Sequence, residues 1–367
     1  PISAVDFTIQ TTGDVVFQAT TGGRSDLPLS AGGGVTVTAR NITQGGNLFA
    51  PLGRITLTAT VKVTLAPGSL TSVTLAGALV PYGETIDGTN WYYNAKTLPF
   101  GVDLPSKGLV LDGANVTIAS GATIDARGGG DLQAMEWIQG KGGSRDVLAT
   151  TSGQKVYALV PSINDPVAAF DIHFTTTNKH LTTGGVEYLG ADDYPLAGTQ
   201  IRIDGGNGIP AGVYTLYPGH YATLPGALRV TYYGSNLGRN LPSGTTLPDG
   251  TVLVTGNYTQ STNPSTSSFG SQLFAVQSSA VWRSYSEYSY SLANTYFTEA
   301  AVHAGVTVPR LPIDAGRLSV IASASIKLFG TALSGPAPGG RGSELDISAD
   351  KLAIVDSGQF AAGTVPG

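Results

Sequence analysis

The chain contains no cysteine and a single methionine among its 367 residues. Without cysteine it can build neither a disulfide framework nor a thiolate metal site. That absence is compatible with cytosol, and it also suits a long passenger that crosses a periplasm unfolded. Charge is scarce too: Asp, Glu, Lys and Arg make up 12% of residues, about half the usual share. The net charge is −5 and no Lys/Arg cluster occurs anywhere, so nucleic acid is a poor candidate partner. No apolar run approaches the roughly 18 residues needed to cross a bilayer, and no membrane span is expected. The sequence opens at Pro1 without an initiator methionine, which leads us to expect that a leader or a longer stretch precedes it.

What is abundant is glycine, with 50 residues, and proline, with 21, set among 41% apolar residues. Disorder needs low hydrophobicity and high charge, so this chain folds. Its polar surface is left to Thr, Ser, Asn, Gln and Gly, a set that suits strands and turns.

Four segments align on a branched apolar residue. Val35-Thr36-Val37-Thr38-Ala39 matches Ile55-Thr56-Leu57-Thr58-Ala59, and Leu318-Ser319-Val320-Ile321-Ala322 matches Leu345-Asp346-Ile347-Ser348-Ala349. Each alternates apolar residues and ends on alanine. A second apolar pair follows: Val61/Val63, Ile326/Leu328 and Leu352/Ile354, with Ile42 alone after the first. Neighbouring copies lie 20 and 27 residues apart, the length of one β-solenoid coil. Alternation places one side-chain set on one face of a strand, and each such face is buried by stacking on the next coil. The shared alanine marks a bend where a larger side chain does not fit. Leu109 to Asp125 reads as another coil, with turns at Asp112-Gly113 and Ser120-Gly121. A β-sandwich also has short alternating strands, but the in-phase Ala and Gly at coil distance favour an all-β, right-handed parallel β-helix.

From about Gly128 to Ile313 the pattern fades. Aromatics concentrate there, from Trp137 through Tyr233 and again from Trp282 to Phe297, with all four histidines. A structureless loop of this size is implausible. We therefore expect β-helix coils over 1–127, a large mostly-β extra-helical module over 128–312, and resumed coils over 313–367. Ser278 to Ala301 fits a helix through Tyr285, Tyr288, Leu292 and Tyr296, or a strand through Tyr288-Ser289-Tyr290.

The coil segments Gly46–Leu57, Ile124–Leu132 and Gly142–Leu148, and more specifically the block Gly212-Val213-Tyr214-Thr215-Leu216-Tyr217-Pro218-Gly219-His220-Tyr221-Ala222-Thr223-Leu224-Pro225-Gly226-Ala227, resemble the filamentous haemagglutinin family of large exoproteins, the passengers of two-partner secretion. The resemblance covers most of residues 40 to 360. It implies a secreted fibre at the bacterial cell surface that acts in adhesion, cell–cell aggregation or contact-dependent competition. It also implies an outer-membrane secretion partner, further coils of a longer chain or neighbouring copies as partners, and surface glycans or proteins as receptors.

Parallel β-helices also carry polysaccharide lyases and glycosidases, so catalysis has to be weighed. A glycosidase needs two carboxylates facing each other across a groove. Asp103, Asp125, Asp131 and Glu136 flank the insertion, and the adjacent Asp192-Asp193 within it reads better as a turn. Lys141, Arg145 and Asp146 suggest a lyase cluster, or a surface salt bridge. Seven residues along a strand would set His173 and His180 about 23 Å apart, too far for a shared metal; a hairpin through Thr176–Asn178 would bring them together, but no Asp or Glu lies between them. His220 reads as a loop residue, and His303 has no partner in sequence. Gly128-Gly129-Gly130, Gly339-Gly340-Arg341-Gly342 and Gly32-Gly33-Gly34 lack the Lys-Ser/Thr and helix of a phosphate loop. We expect no enzyme, no metal and no cofactor. Binding is expected from an aromatic surface of Trp91, Tyr92, Trp282, Tyr285 and Tyr288, with burial as the competing reading for each. The alternative function is a polysaccharide-active enzyme or a non-catalytic carbohydrate-binding module.

Overall fold

The computed structural model describes residues 2–3, 6–19, 27–93, 96–101, 104–140, 143–151, 154–163, 170–171, 181–183, 186–188, 200–260, 263–267 and 272–350. The fold is mostly β and is built on parallel sheets. The chain passes repeatedly through the same sheets in the same order. It starts with β1 (Asp6–Gln10) and β2 (Asp14–Phe17), then β3 (Gly34–Gln44) and β4 (Asn47–Phe49). Next come β5 (Arg54–Leu65), β6 (Leu70–Ser72), β7 (Leu79–Ile86) and its hairpin partner β8 (Asn90–Tyr93). The following pass is β9 (Gly108–Ile118), β10 (Thr123–Asp125) and β11 (Asp131–Trp137).

The first sheet has the order β1–β3–β5–β9 with β2 also on β3, the second β4–β6–β10, and the third pairs β7 with β11, all parallel. After a long excursion the chain returns with β20 (Arg317–Leu328) on β9, β21 (Thr331–Leu333) on β10, and β22 (Glu344–Ala349) on β20.

Register explains the alternation in the sequence. Ile9, Val37, Leu57, Leu111, Val320 and Ile347 are partners along one line across the first sheet. The four central ones are fully buried, and the two at the ends are half-buried. Ala39, Ala59, Gly113, Ala322 and Ala349 form a parallel line of small residues just before a bulge. A Cβ on Gly113 would come within 3.3 Å of the Ala59 carbonyl oxygen and 3.4 Å of Val63 Cγ2, so this position is tightly packed and a side chain here would have to push its neighbours aside. The later apolar positions Ile42, Val63, Val116 and Ile118 are buried, while Leu328 is 46% exposed. The expected pair Leu352/Ile354 lies outside the described residues.

The excursion starts later than residue 128. Asp131–Trp137 still lies parallel on β7, because Leu132 and Ala134 close the third face over Leu75 and Val80. The chain then enters a mainly antiparallel unit of β12 (Val156–Leu159), β13 (Gln200–Ile203), β14 (Gly212–Thr215), β15 (Tyr217–Pro218), β16 (Leu228–Ser235), β17 (Val252–Gln260) and β18 (Gln272–Gln277). Their order is β14–β13–β17–β18–β16–β12–β15. β14 and β15 stand at opposite ends of that order yet are separated in the chain only by Leu216. One extended segment therefore pairs on both sides, and the sheet closes on itself. Tyr157, Leu159, Ile201, Ile203, Leu216, Val230, Val254, Phe274 and Val276 form its apolar interior.

The ambiguous stretch 278–301 contains both kinds of element. The short helix α1 (Ser279–Trp282) leads to β19 (Tyr288–Leu292), antiparallel on β11, and then to α2 (Ala293–Ala304). Gly305 ends α2 in the left-handed conformation, φ 66°. Its start is capped from another strand, since Asp131 Oδ1 accepts the Asn294 N–H at 3.0 Å.

Candidate functional site

Two regions meet where the excursion leaves and returns. The first is an apolar seam. Leu75, Val80, Leu132 and Ala134 from the passes share one buried cluster with Ala158, Tyr217, Tyr221 and Ala222 from the closed sheet, and with Trp282, Tyr288 and Phe297. Tyr221 donates its hydroxyl to the Leu29 carbonyl at 2.5 Å. The Gly212–Ala227 block is thus the closing strand plus the seam. Gly219 is needed there, because a Cβ would meet the Leu148 carbonyl oxygen at 2.3 Å.

This burial overturns most of the expected aromatic surface. Trp91 is 1% exposed, Trp282 0% and Tyr288 6%. Trp91 packs on Tyr296 and Phe297 of α2, and Trp282 packs edge-on against Tyr288. Large rings gain most by leaving water where two sheets and a helix meet. Tyr92 is half-buried in the hairpin. Only Tyr285 is largely exposed, at 44%, and its hydroxyl donates to Asp249 at 3.0 Å. Burial, with the Asp146 carboxylate beside it, pushes the Tyr288 hydroxyl far above the ordinary phenol range, and that hydroxyl donates to Asp146. The neighbouring Arg229 is buried, which pulls its guanidinium down to about 10, and it donates to the Val147 carbonyl and to Gln277.

The second region is a cleft of about 460 Å³ whose lining includes Arg54, Pro105, Lys107, Gly108, Arg310, Leu311, Asp314, Arg317, Glu344 and Asp346. Lys107 is 8% exposed. Its ammonium donates to the Arg127 carbonyl at 3.1 Å and the Pro312 carbonyl at 2.8 Å. It thereby ties together the segments that flank the excursion. Burial lowers its pKa to about 8, against the pull of Asp314 and Asp125 and with a further push from Arg310. Asp314 is buried, which alone would raise its carboxyl. Hydrogen bonds from Arg341 and from the Leu311 and Arg341 amides outweigh that and hold it below the usual range. Arg341 also donates to the Val308 and Pro309 carbonyls. Gly128 sits in the same junction, where a Cβ would meet the Ile313 carbonyl oxygen at 1.9 Å. The glycine run is therefore a crossing point of chains.

Among the described residues, Asp125, Asp131, Glu136 and Asp146 each hold structure. Asp125 pairs with Arg127 at 2.6 Å. Asp131 caps α2 and is pushed up by burial, with the Asn294 and Leu132 amides opposing that shift. Glu136 accepts the Asp87 and Gly88 amides at 2.8 and 3.0 Å, fixing the turn of the β7–β8 hairpin. Asp146 accepts the Leu148 amide at 2.8 Å. The Ser286 hydroxyl donates to the Arg145 carbonyl. His220 lies in a 3-10 turn and His303 is exposed near the end of α2. Asp103, Lys141, His173, His180, Asp192 and Asp193 lie outside the described residues. Among the described residues no group of three or more His, Cys, Asp or Glu could hold a metal ion, and no helix is long and apolar enough to cross a membrane.

Sequence reasoning missed the Lys107 junction. Its acceptors are 20 and 205 residues away in the chain, so no local spacing announces it.

No family model, no curated protein and no solved structure matches the chain.

Proposed function

We propose that the chain is a stretch of right-handed parallel β-helix and serves as a structural and adhesive segment of a secreted bacterial surface fibre, of the kind built by filamentous haemagglutinin exoproteins. The observation that carries this reading is the register. Six successive strand positions of the first sheet keep their residues aligned, and the end strands β1 and β22 have no further partner among the described residues. Parallel crossovers are right-handed in about 98% of cases, which supports that hand for the coil. Stacked coils give length and stiffness. The closed antiparallel unit, seated on the third face, gives a lateral surface for contact with glycans or proteins.

In this reading the chain is not an enzyme. The ionisable groups near the junction act as latches: Lys107, Asp131, Glu136 and Asp314 all hold backbone groups. An outer-membrane partner would export the chain, and its place would be outside the cell.

Immunogold labelling of the native source with antibody against this chain, together with adhesion of chain-coated beads to bacterial and host cells, tests the proposal. Label along extended surface filaments and bead retention above albumin-coated controls are expected. Label confined to the cell interior would overturn it. Release of unsaturated or reducing ends from pectin, alginate or glycosaminoglycans would instead establish the polysaccharide-active alternative.

A further inference from the structure

The cleft beside Lys107 contains one charge that no other group among the described residues answers. Arg310 pairs with Glu344, Arg317 with Asp346 and Arg341 with Asp314, while Lys107 is held by backbone carbonyls. Arg54 lines the same cleft, and its guanidinium makes no hydrogen bond or ion pair among the described residues. Its side chain leans across the neighbouring strand: a Cβ on Gly108 would lie 3.5 Å from Arg54 Nε and 3.8 Å from its Cγ. Arg54, Gly108 and Arg317 are in register on β5, β9 and β20. The two arginines therefore stand about 10 Å apart at Cα, and the floor between them carries no side chain. All three strands are paired on both sides.

A second group points the same way. Ser319 follows Arg317 on the same face of β20 and also lines the cleft. It is only 6% exposed, yet its hydroxyl makes no hydrogen bond among the described residues. A hydroxyl this buried ordinarily has a partner. Of its two register neighbours, the Val110 side chain offers none and Asp346 is turned to Arg317. We infer that this cleft binds a small polyhydroxy carboxylate, the size of a single sugar acid. The carboxylate lies over Gly108 and takes the Arg54 guanidinium in the two-pronged geometry that suits this pair. The Ser319 hydroxyl donates to a further ligand oxygen. Glu344 and Asp346 keep lone pairs to accept ligand hydroxyls, and Pro105 and Leu311 supply apolar walls. The cleft volume of about 460 Å³ lies within the range of small-ligand sites. Arg54 is the one uncommitted charge, so a single negative charge is matched. A dianion would leave one charge unanswered beside Glu344 and Asp346. The inference goes beyond the adhesive reading and does not depend on it.

Isothermal titration of the full chain with D-glucuronate at neutral pH tests the site, with D-glucose as the neutral control and sulfate as the dianion. Saturable glucuronate binding is expected, about tenfold or more tighter than either control. Arg54→Gln should weaken it about tenfold, the loss expected for one charge-assisted pair, and Ser319→Ala should weaken it severalfold. Gly108→Val, which sets a branched side chain on the floor, should abolish it. The Arg54 and Ser319 side chains bond to no other group among the described residues, so their variants should keep the wild-type thermal midpoint. They carry the test if Gly108→Val does not fold. No saturation by about 10 mM glucuronate, or binding left unchanged by Arg54→Gln, overturns the site. Glucose or sulfate binding as tightly as glucuronate overturns the assignment to a sugar acid.

Discussion

At the scale of single residues, Lys107 is the most consequential group. Its pKa in the fold is about 8, against the ordinary 10.5 expected of the unfolded chain. Between those values the unfolded state binds more protons, so stability rises with pH across that window. A neutral amine still has two N–H groups for the Arg127 and Pro312 carbonyls. Relative to Lys107→Met, wild type should therefore gain about 2 kcal/mol between pH 7.5 and 10, read from urea midpoints of both proteins. A constant difference across that range would show that the ammonium is not desolvated. The small-residue line gives a second test. Ala322 is buried in register with Gly113 and Ala349, so Ala322→Leu should cost roughly 1–3 kcal/mol by overpacking. Thr58 points from the outer face, and Thr58→Lys should stay within about 0.5 kcal/mol. Thermal melts showing the reverse order would place these lines on the wrong faces. The line of alanines was legible in the sequence because packing against neighbouring copies repeats at a fixed interval. Lys107 was not legible, because its two acceptors are brought in by topology and no spacing rule reaches them.

At the scale of elements, register is the quantity to test, and a chain without cysteine is a clean background for it. Thr36 and Thr56 are partners on adjacent parallel strands, about 4.8 Å apart at Cα. Thr58 lies two residues further along, which puts it about 8 Å from Thr36. A disulfide tolerates Cα separations up to about 7 Å. Mild oxidation should close Thr36→Cys/Thr56→Cys and leave Thr36→Cys/Thr58→Cys open, as seen by mobility on non-reducing gels. Closure of both pairs would mean that the strands slip. Alternating strands with a strict period were readable here, because a one-residue slip turns the whole apolar set to water. The closed antiparallel unit was readable only as a change in composition. Its closure depends on β14 and β15 pairing with strands far apart in the chain, and nothing local to Gly212–Pro218 reveals two partners. The stretch 278–301 fitted two periods because it contains two kinds of element in succession, separated by the turn after Trp282 and by the start of α2 at Ala293. The aromatics misled for a related reason. Tyr and Trp beside Ser look alike on a binding face and in a seam, and only the arrival of α2 and β19 over the third sheet buries Trp91, Trp282 and Tyr288.

At the scale of the whole molecule, the seam decides whether the antiparallel unit is a passenger or a part of the fold. Ile138 donates its amide to the Glu287 carbonyl, and Trp137 faces Tyr288 across the β11–β19 pair. The two ends of the excursion therefore lie side by side. Replacing residues 139–286 with Asn-Gly would join β11 to β19 as an ordinary two-residue hairpin, with a turn suited to that length. If the unit were only appended, the shortened chain would fold as well as the full one. The shared cluster argues otherwise. Leu75, Val80, Leu132 and Ala134 are each at most 1% exposed, and in the shortened chain they lose the cover of Tyr217, Tyr221, Trp282 and their neighbours. Several side chains of this size returned to water cost about 1.5–3 kcal/mol each, comparable in sum with the whole stability of a domain. The full chain should therefore unfold in a single calorimetric transition, and the shortened chain should bind a hydrophobic dye and melt broadly. Two separate transitions in the full chain, or a cooperative dye-free melt of the shortened one, would make the unit an independent domain and leave the parallel sheets to stand alone.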